Sequence, residues 1–241
     1  VKYMDILKQL AEELNIRVEQ VQATVQLIDE GNTIPFIARY RKEVTGSLND
    51  EELRTRDERL KYLRNLEEKK EQVLATIEEQ GKLTEELKQQ ILAAETLVVV
   101  EDLYRPYRPK RRTRAIIARE KGLEGLANII SLQMTDKFLE EEAEKYISAE
   151  KGVETVKDAI AGAMDIIAEN ISDEADYRIH IRKMTFDNGR ITSTAKDPEA
   201  KTVYEMYYNF EEPVKKIAGH RVLALNRGED EKVLTVKVEP P

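Results

Sequence analysis

Leu53, Leu60, Leu63, Leu66, Val73, Leu74 and Ile77 recur at helical spacing through a stretch otherwise dominated by charge. Side chains three, four and seven residues apart share one side of an α-helix, so these seven define an apolar stripe on a charged rod. Ser47–Leu48–Asn49–Asp50 has the form of a capping box, a hydroxyl at the start and an acid three residues on. Gly81 suits a terminator. The pattern predicts one helix opened at Ser47 and running to about Gln80, roughly 30 residues and about 45 Å long. Asp57 and Lys61 add an i,i+4 pair of favourable polarity. The stripe is narrow and holds too few regular heptads for a coiled coil, so the rod is expected to brace other helices.

The rest of the chain fits that expectation. Met4, Leu7, Leu10 and Leu14 mark a first helix with Asn15 as its cap, and Val21, Val25 and Ile28 a second ended by Gly31; together they suggest an αα-hairpin. Thr84 opens a helix through Leu92, Thr96–Tyr104 reads as a short buried helix, and Thr113 caps one through Lys121. Leu123–Leu132 and Asp136–Ile147 follow as helices, with Glu140–Glu144 as a solvated face. Val153–Ile171 presents Val156, Ile160, Met164 and Ile167 as a core face; Ala159, Ala161, Gly162 and Ala163 allow close backbone approach, and Gly162 marks a tight helix crossing. Ser172 with Asp173–Glu174 caps the next helix, through about Phe186. Ile191–Ala195 is a short strand or coil. Glu199–Asn209 reads as a helix with Tyr204, Tyr207 and Tyr208 half buried. Val222–Leu225 and Val233–Val238 alternate around Arg227–Asp230 as a β-hairpin. The fold class is therefore mainly α: a multi-helix array with one long helix and a small C-terminal β-hairpin. It divides into 1–100, with the long helix, 101–218, opened by a basic loop, and 219–241, the hairpin.

Glu101–Lys121 reads EDLYRPYRPKRRTRAIIAREK. From Arg105 to Lys121 it holds eight cationic side chains against Glu120 alone. Pro106 and Pro109 forbid helix across its middle, and Tyr104 and Tyr107 interleave with the charge. A stiffened basic segment with aromatics is a phosphate-contacting candidate; a solvated connector has the same composition. The candidate nucleic-acid contacts are Arg105, Arg108, Lys110, Arg111, Arg112 and Arg114, expected to be mostly exposed. Arg39, Arg41 and Lys42 join them from Asn32–Gly46, where Ile34, Phe36 and Ile37 call for burial. The chain carries a net −8, so charge is polarised and binding confined to local patches. If the basic side chains pair instead with acids such as Glu140–Glu144, the segment is neutralised and a docking scaffold is the better reading.

Other functions find no residues to carry them. Cysteine is absent, which removes disulfides, thiolate zinc sites and a thiol nucleophile. His180 and His220, the only histidines, stand far apart without metal-ligand spacing. No glycine-rich phosphate loop occurs. The expectation is no enzyme activity, no cofactor and no metal. Val1–Leu14 reads as an amphipathic helix rather than a secretory leader, and no apolar run reaches membrane length; a cytoplasmic protein is expected.

Four strings then add up: NTIPFIARYRKEVTG (Asn32–Gly46), EDLYRPYRPKRRTRAIIAREKGLEGLA (Glu101–Ala127), AGAMDIIAENISDEADYR (Ala161–Arg178) and GHRVLALNRGE (Gly219–Glu229). In order and over nearly the whole chain, they resemble the Tex family of bacterial transcription accessory proteins. The resemblance implies an N-terminal helical region that includes a helix-turn-helix unit. In the family this region precedes an RNase-H-like YqgF domain, helix-hairpin-helix elements and an OB-fold RNA-binding domain, none of which this sequence matches. It implies nucleic acid as a partner, RNA or DNA without sequence preference, and RNA polymerase and the downstream YqgF-like and OB-fold domains as further ones. A helical scaffold docking those domains or the polymerase is the alternative.

Overall fold

The computed structural model describes the backbone from Lys2 and the side chains from Asp5 to Pro241. Val1, and the side chain of Met4 that opens the first predicted stripe, lie outside the described residues. The chain forms two compact units, Val1–Tyr104 and Arg105–Pro241.

The first unit is all helical: α1 Lys2–Leu14, α2 Val18–Asp29, α3 Ile34–Tyr40, α4 Lys42–Thr45, α5 Asp50–Glu79, α6 Glu85–Ala93 and α7 Leu97–Tyr104. The expected rod is α5, 30 residues long and unbroken. Leu53, Leu60, Leu63, Leu66, Val73 and Ile77 are buried along it, and it packs against α1, α3, α6 and α7. Two forked arginine–carboxylate pairs tie the first two helices to this rod. Arg59 donates to both oxygens of Glu13 at 2.6 and 2.7 Å, and Arg64 to both of Asp29 at 2.9 Å. Such bidentate pairs fix orientation as well as charge. Asp57 and Lys61 pair at 3.0 Å as expected.

The start of α5 corrects the capping reading by two residues. Asn49, not Ser47, is the cap, its side-chain oxygen accepting from the Glu52 amide at 2.8 Å. Ser47 instead sits at φ 66° in the left-handed region, closing the turn after α4. Asn49→Ala should therefore cost about 1 kcal/mol of stability, whereas Ser47→Ala should stay within about 0.5 kcal/mol. Thermal melts of the two variants check the assignment, and a larger loss from Ser47→Ala would reverse it.

The second unit opens on a 3-10 turn, Arg105–Tyr107, and continues through α8 Arg114–Glu120, α9 Glu124–Leu132, α10 Leu139–Glu144, α11 Val156–Asp173 and α12 Ala175–Asn188. After these come β1 Arg190–Ala195, β2 Asn209–Pro213, α13 Gly219–Asp230 and β3 Leu234–Glu239. The architecture is mainly α with a small antiparallel sheet. Helix α11 is its centre, packed on α8 and α9. Its fully buried face is Ala159, Ala163 and Ile166; of the larger residues expected there, Val156, Ile160 and Ile167 pack partly buried against the same core, and only Met164, 61% exposed, does not. The small face lets α8 and α9 approach closely. A Cβ on Gly162 would stand 2.2 Å from Leu123 Cδ1, the tight crossing that glycine suggested. The acidic run is not wholly solvated either. Glu142 is buried, with Lys145 on one side and Lys137 on the other.

The C-terminal hairpin is not formed. Residues 222–225 belong to α13, and β3 pairs with β1 rather than with them, Ile191 opposite Val238. The sheet has three strands in the order β2–β1–β3, all antiparallel. Four alternating residues are too few to separate a strand from a helix; over the longer stretch, burial of Leu225 and Gly228 follows the helical period. Glu199–Asn209 is likewise a folded loop with one 3-10 turn, Glu205–Tyr207. There the Asp197 carboxylate accepts from the Glu199 amide, the Thr202 hydroxyl from that of Tyr204, and the Ala200 carbonyl from the Tyr208 hydroxyl. Such local side-chain bonds compete with helix. Tyr204 and Tyr207 are buried with Ile191, Leu225 and Leu234 in the core beneath the sheet.

Candidate nucleic-acid interface

The basic segment is shaped by its two ends. Proline stops α7 at Tyr104, and Thr113 restarts helix at α8 by accepting from the Ile116 amide at 3.1 Å. Between them the chain cannot form helix and lies against the C-terminal half of α11. The buried face of α11 continues beyond Ile166, three and seven residues on, into Glu169 and Asp173. Ser172 does not cap α12, because α11 runs through to Asp173; the capping residue is Glu174, without a side-chain bond. Asp173 is thereby turned towards the segment.

These two carboxylates sort the cations into two sets. Glu169 accepts from Lys110 at 3.2 Å, from Arg119 at 3.2 Å and from the Thr113 hydroxyl at 2.8 Å. Asp173 accepts from Arg105 at 3.0 Å and also from Lys110. The Thr113 hydroxyl thus couples the start of α8 to the acidic pair. Burial alone would push the Glu169 carboxyl up, but the bonds from Thr113, Lys110 and Arg119 more than offset it and hold the group below its ordinary value. Arg105 and Lys110, expected to be exposed, are half buried and engaged.

Arg108, Arg111, Arg112 and Arg114 are exposed. Arg112 meets Glu120 at 2.7 Å on the surface. Arg114 stands 3.9 Å from Asp165 with 87% of its side chain exposed. Arg105, Lys110, Arg112 and Arg114 thus all stand beside carboxylates, the pairing expected of a docking scaffold, but the acids lie on α8 and α11 rather than in Glu140–Glu144, and Arg112 and Arg114 keep most of their side chains exposed. The result is an open cavity of about 550 Å³ with Glu169 and Asp173 in its wall and Arg108, Arg111 and Arg114 among its lining residues. Sequence reading assigned Asp173 to helix-end charge and did not single out Glu169. The signal was their i,i+4 spacing in line with Ala159, Ala163 and Ile166.

Arg39, Arg41 and Lys42 belong to the first unit, on α3 and α4 and the residue between them, and all three are exposed. His180 and His220 are exposed on α12 and α13. Among the described residues, no group of three or more His, Asp or Glu could hold a metal ion, and no helix is long and apolar enough to cross a membrane.

Residues 4–78 match the Tex-like protein N-terminal domain, and residues 136–241 the Tex central region. The chain belongs to the Tex family. Among Tex relatives it is 45% identical over 244 residues to "Protein tex" of Bordetella pertussis, covering 99% of this chain and 30% of that protein. It is 41% identical over 239 residues to "Transcriptional accessory protein Tex" of Neisseria gonorrhoeae, covering 98% and 31%. A human protein named "S1 RNA-binding domain-containing protein 1" is 31% identical over 244 residues, covering 97% and 24%. The chain spans about a third of the length of the curated Tex relatives it matches. The basic segment lies between the two Tex matches, outside both.

Proposed function

We propose that this region of a Tex protein contributes non-sequence-specific nucleic-acid contacts to transcription, in the cytoplasm, through Arg108, Arg111, Arg112 and Arg114. The observation that carries the reading is the division of labour in the basic segment. Arg105, Lys110 and Arg119 are held by Glu169 and Asp173, and four exposed arginines sit on the stretch so anchored, three in the loop and Arg114 at the start of α8. A loop fixed in this way presents charge without first being ordered, which saves part of the cost of binding. Guanidinium groups on a loop meet phosphates but read no base edges. The relatives named for transcription and for an RNA-binding domain support the same reading. A helix-turn-helix reading of α2 and α3 is supported by their short connection, residues 30–33, which turns on Gly31 at φ +88°; glycine adopts that angle at little cost.

The net −8 of the chain opposes association, so dissociation constants are expected to be micromolar or weaker at physiological salt and steeply salt dependent. Replacing Arg108, Arg111, Arg112 and Arg114 together by alanine should weaken binding to every sequence alike. The expected loss is about tenfold at low salt, and the salt slope should flatten by up to about 0.9 per lost phosphate contact on duplex. Anisotropy titrations with duplex DNA and single-stranded RNA test this. Absence of binding at low salt, with the same variant losing contact with the downstream YqgF-like or OB-fold domains or with RNA polymerase, would instead establish a docking scaffold. The reading also holds that this region is not an enzyme. Incubation with radiolabelled RNA, DNA or ATP and a divalent metal should give no cleavage; cleavage abolished by one carboxylate substitution would overturn that part.

A further inference from the structure

We infer that α3 and α4 form a second subsite, for unpaired nucleobases, in which Phe36 and Tyr40 are the stacking surface and Arg39, Arg41 and Lys42 the phosphate contacts. The inference rests on the nucleic-acid reading above and extends it from duplex-tolerant charge to single strands. Helix α3 is anchored by Ile37, fully buried with Leu48 and Leu53. One turn apart on α3, Phe36 and Tyr40 are left 37% and 56% exposed, their ring centroids 5.2 Å apart and the rings tilted by 48°. Each ring also carries a guanidinium: Arg41 lies 5.6 Å from the Phe36 centroid and Arg39 5.9 Å from that of Tyr40.

Two features separate this cluster from ordinary surface. Its cations are not neutralised: Arg39, Arg41 and Lys42 have no carboxylate partner among the described residues, unlike the clamped cations after Tyr104. Arg41 makes only a long bond, 3.4 Å, to the Tyr40 carbonyl. The cluster also borders an open cavity of about 950 Å³ lined by Phe36, Arg39, Tyr40, Lys42 and Asn49, with Asp50 the one carboxylate among its lining residues. Volumes of this order suit ligands larger than an ion. Exposed aromatic faces beside guanidinium planes are what splayed-out bases stack on, and nearby cations follow the backbone. A duplex keeps its base faces stacked on one another and could use the cations alone.

The test compares a labelled oligouridylate or oligothymidylate of about twelve nucleotides with a duplex of equal length, on the full 241-residue chain. The Phe36→Ala/Tyr40→Ala variant should bind the single strands about tenfold more weakly, with duplex affinity changed less than about twofold. Both rings are exposed, so its melting should match the parent. Should it not, Tyr40→Trp supplies a second readout: the chain contains no tryptophan, and the new indole emission should be quenched by the single strand and not by the duplex. Equal losses on duplex and single strand would show that α3 enters a duplex groove and would overturn the inference. So would unchanged single-strand affinity, or an unquenched indole. The arginine variant of the basic segment keeps the two readings apart. If it loses binding while Phe36→Ala/Tyr40→Ala does not, only the stacking subsite fails; if the parent chain binds neither probe at low salt, both fail.

Discussion

Glu169→Ala is expected to lower the unfolding free energy of the Arg105–Pro241 unit by about 2–3 kcal/mol. The side chain is only 16% exposed and accepts from three donors on two other stretches of chain, Lys110, Thr113 and Arg119. Removing it leaves Lys110 with Asp173, Arg119 with Asn170 and Glu124, and the Thr113 hydroxyl without its acceptor, so the cost is that of three charge-assisted bonds rather than of one lost ion pair. Lys183–Asp187 on α12 is the comparison. Its members are 76% and 36% exposed, and Asp187→Ala should leave the unfolding midpoint essentially unchanged. Acid should distinguish the two mechanisms further. The folded Glu169 carboxyl sits below its ordinary 4.5, so the unfolded chain takes up the proton first. The stabilisation is complete above that value and is lost as pH falls through the lower, folded one. The gap between parent and Glu169→Ala in urea unfolding should therefore be full at neutral pH and shrink below pH 4.5. An equal midpoint for both proteins at neutral pH would show that the acidic pair is not holding the loop.

Gly228→Leu should cost the same unit about 2–3 kcal/mol, by overpacking. A Cβ at Gly228 would lie 2.4 Å from Leu234 Cδ1, 2.8 Å from Leu234 Cγ and 3.3 Å from Tyr204 Cδ1. Leu234 is fully buried and opens β3, so it cannot retreat without moving the strand. Better helix propensity returns up to about 1 kcal/mol, too little to compensate. Gly219, at the start of the same helix, has nothing within 4 Å of its virtual Cβ, and Gly219→Ala should be neutral. Thermal melts with amide protection of residues 234–239 check both. Full protection of β3 in Gly228→Leu would mean that the core beneath the sheet is looser than the packing indicates.

Gly228 also shows where sequence reading reached its limit. Asn-Arg-Gly-Glu-Asp between two apolar stretches has the composition of a turn, and nothing local says that this glycine is a contact point inside a helix. The seat for Leu234 exists only once β3 has paired with β1. The long α5 was legible because its evidence is periodic over thirty residues and needs no partner to be recognised. The basic segment was visible as charge, and the caps at Thr84 and Thr113 as chemistry. Which cations face inward was not, since it depends on where α11 places Glu169 and Asp173 some fifty and more residues later. Helix α11 was legible in extent and in most of its face: the small residues Ala159 and Ala163 lie at its centre and Val156, Ile160 and Ile167 pack at its margin, while Met164 alone turns outward.

The strand order has a consequence for synthesis on the ribosome. The central strand of the sheet, β1, emerges early, takes β2 as its first neighbour, and gains β3 only after the whole of α13 has been made. Until then Ile191, Tyr204 and Tyr207 have no Leu234 to close over them. A long closing distance slows formation of such contacts, and a sheet open on one side is the kind of intermediate that exposed strands elsewhere can capture. The helical first unit closes over similar distances in sequence, Glu13 meeting Arg59 and Asp29 meeting Arg64, but it has no strand edge waiting for a partner. Maturation of this region should thus be sequential, with the small sheet as its last and most vulnerable step.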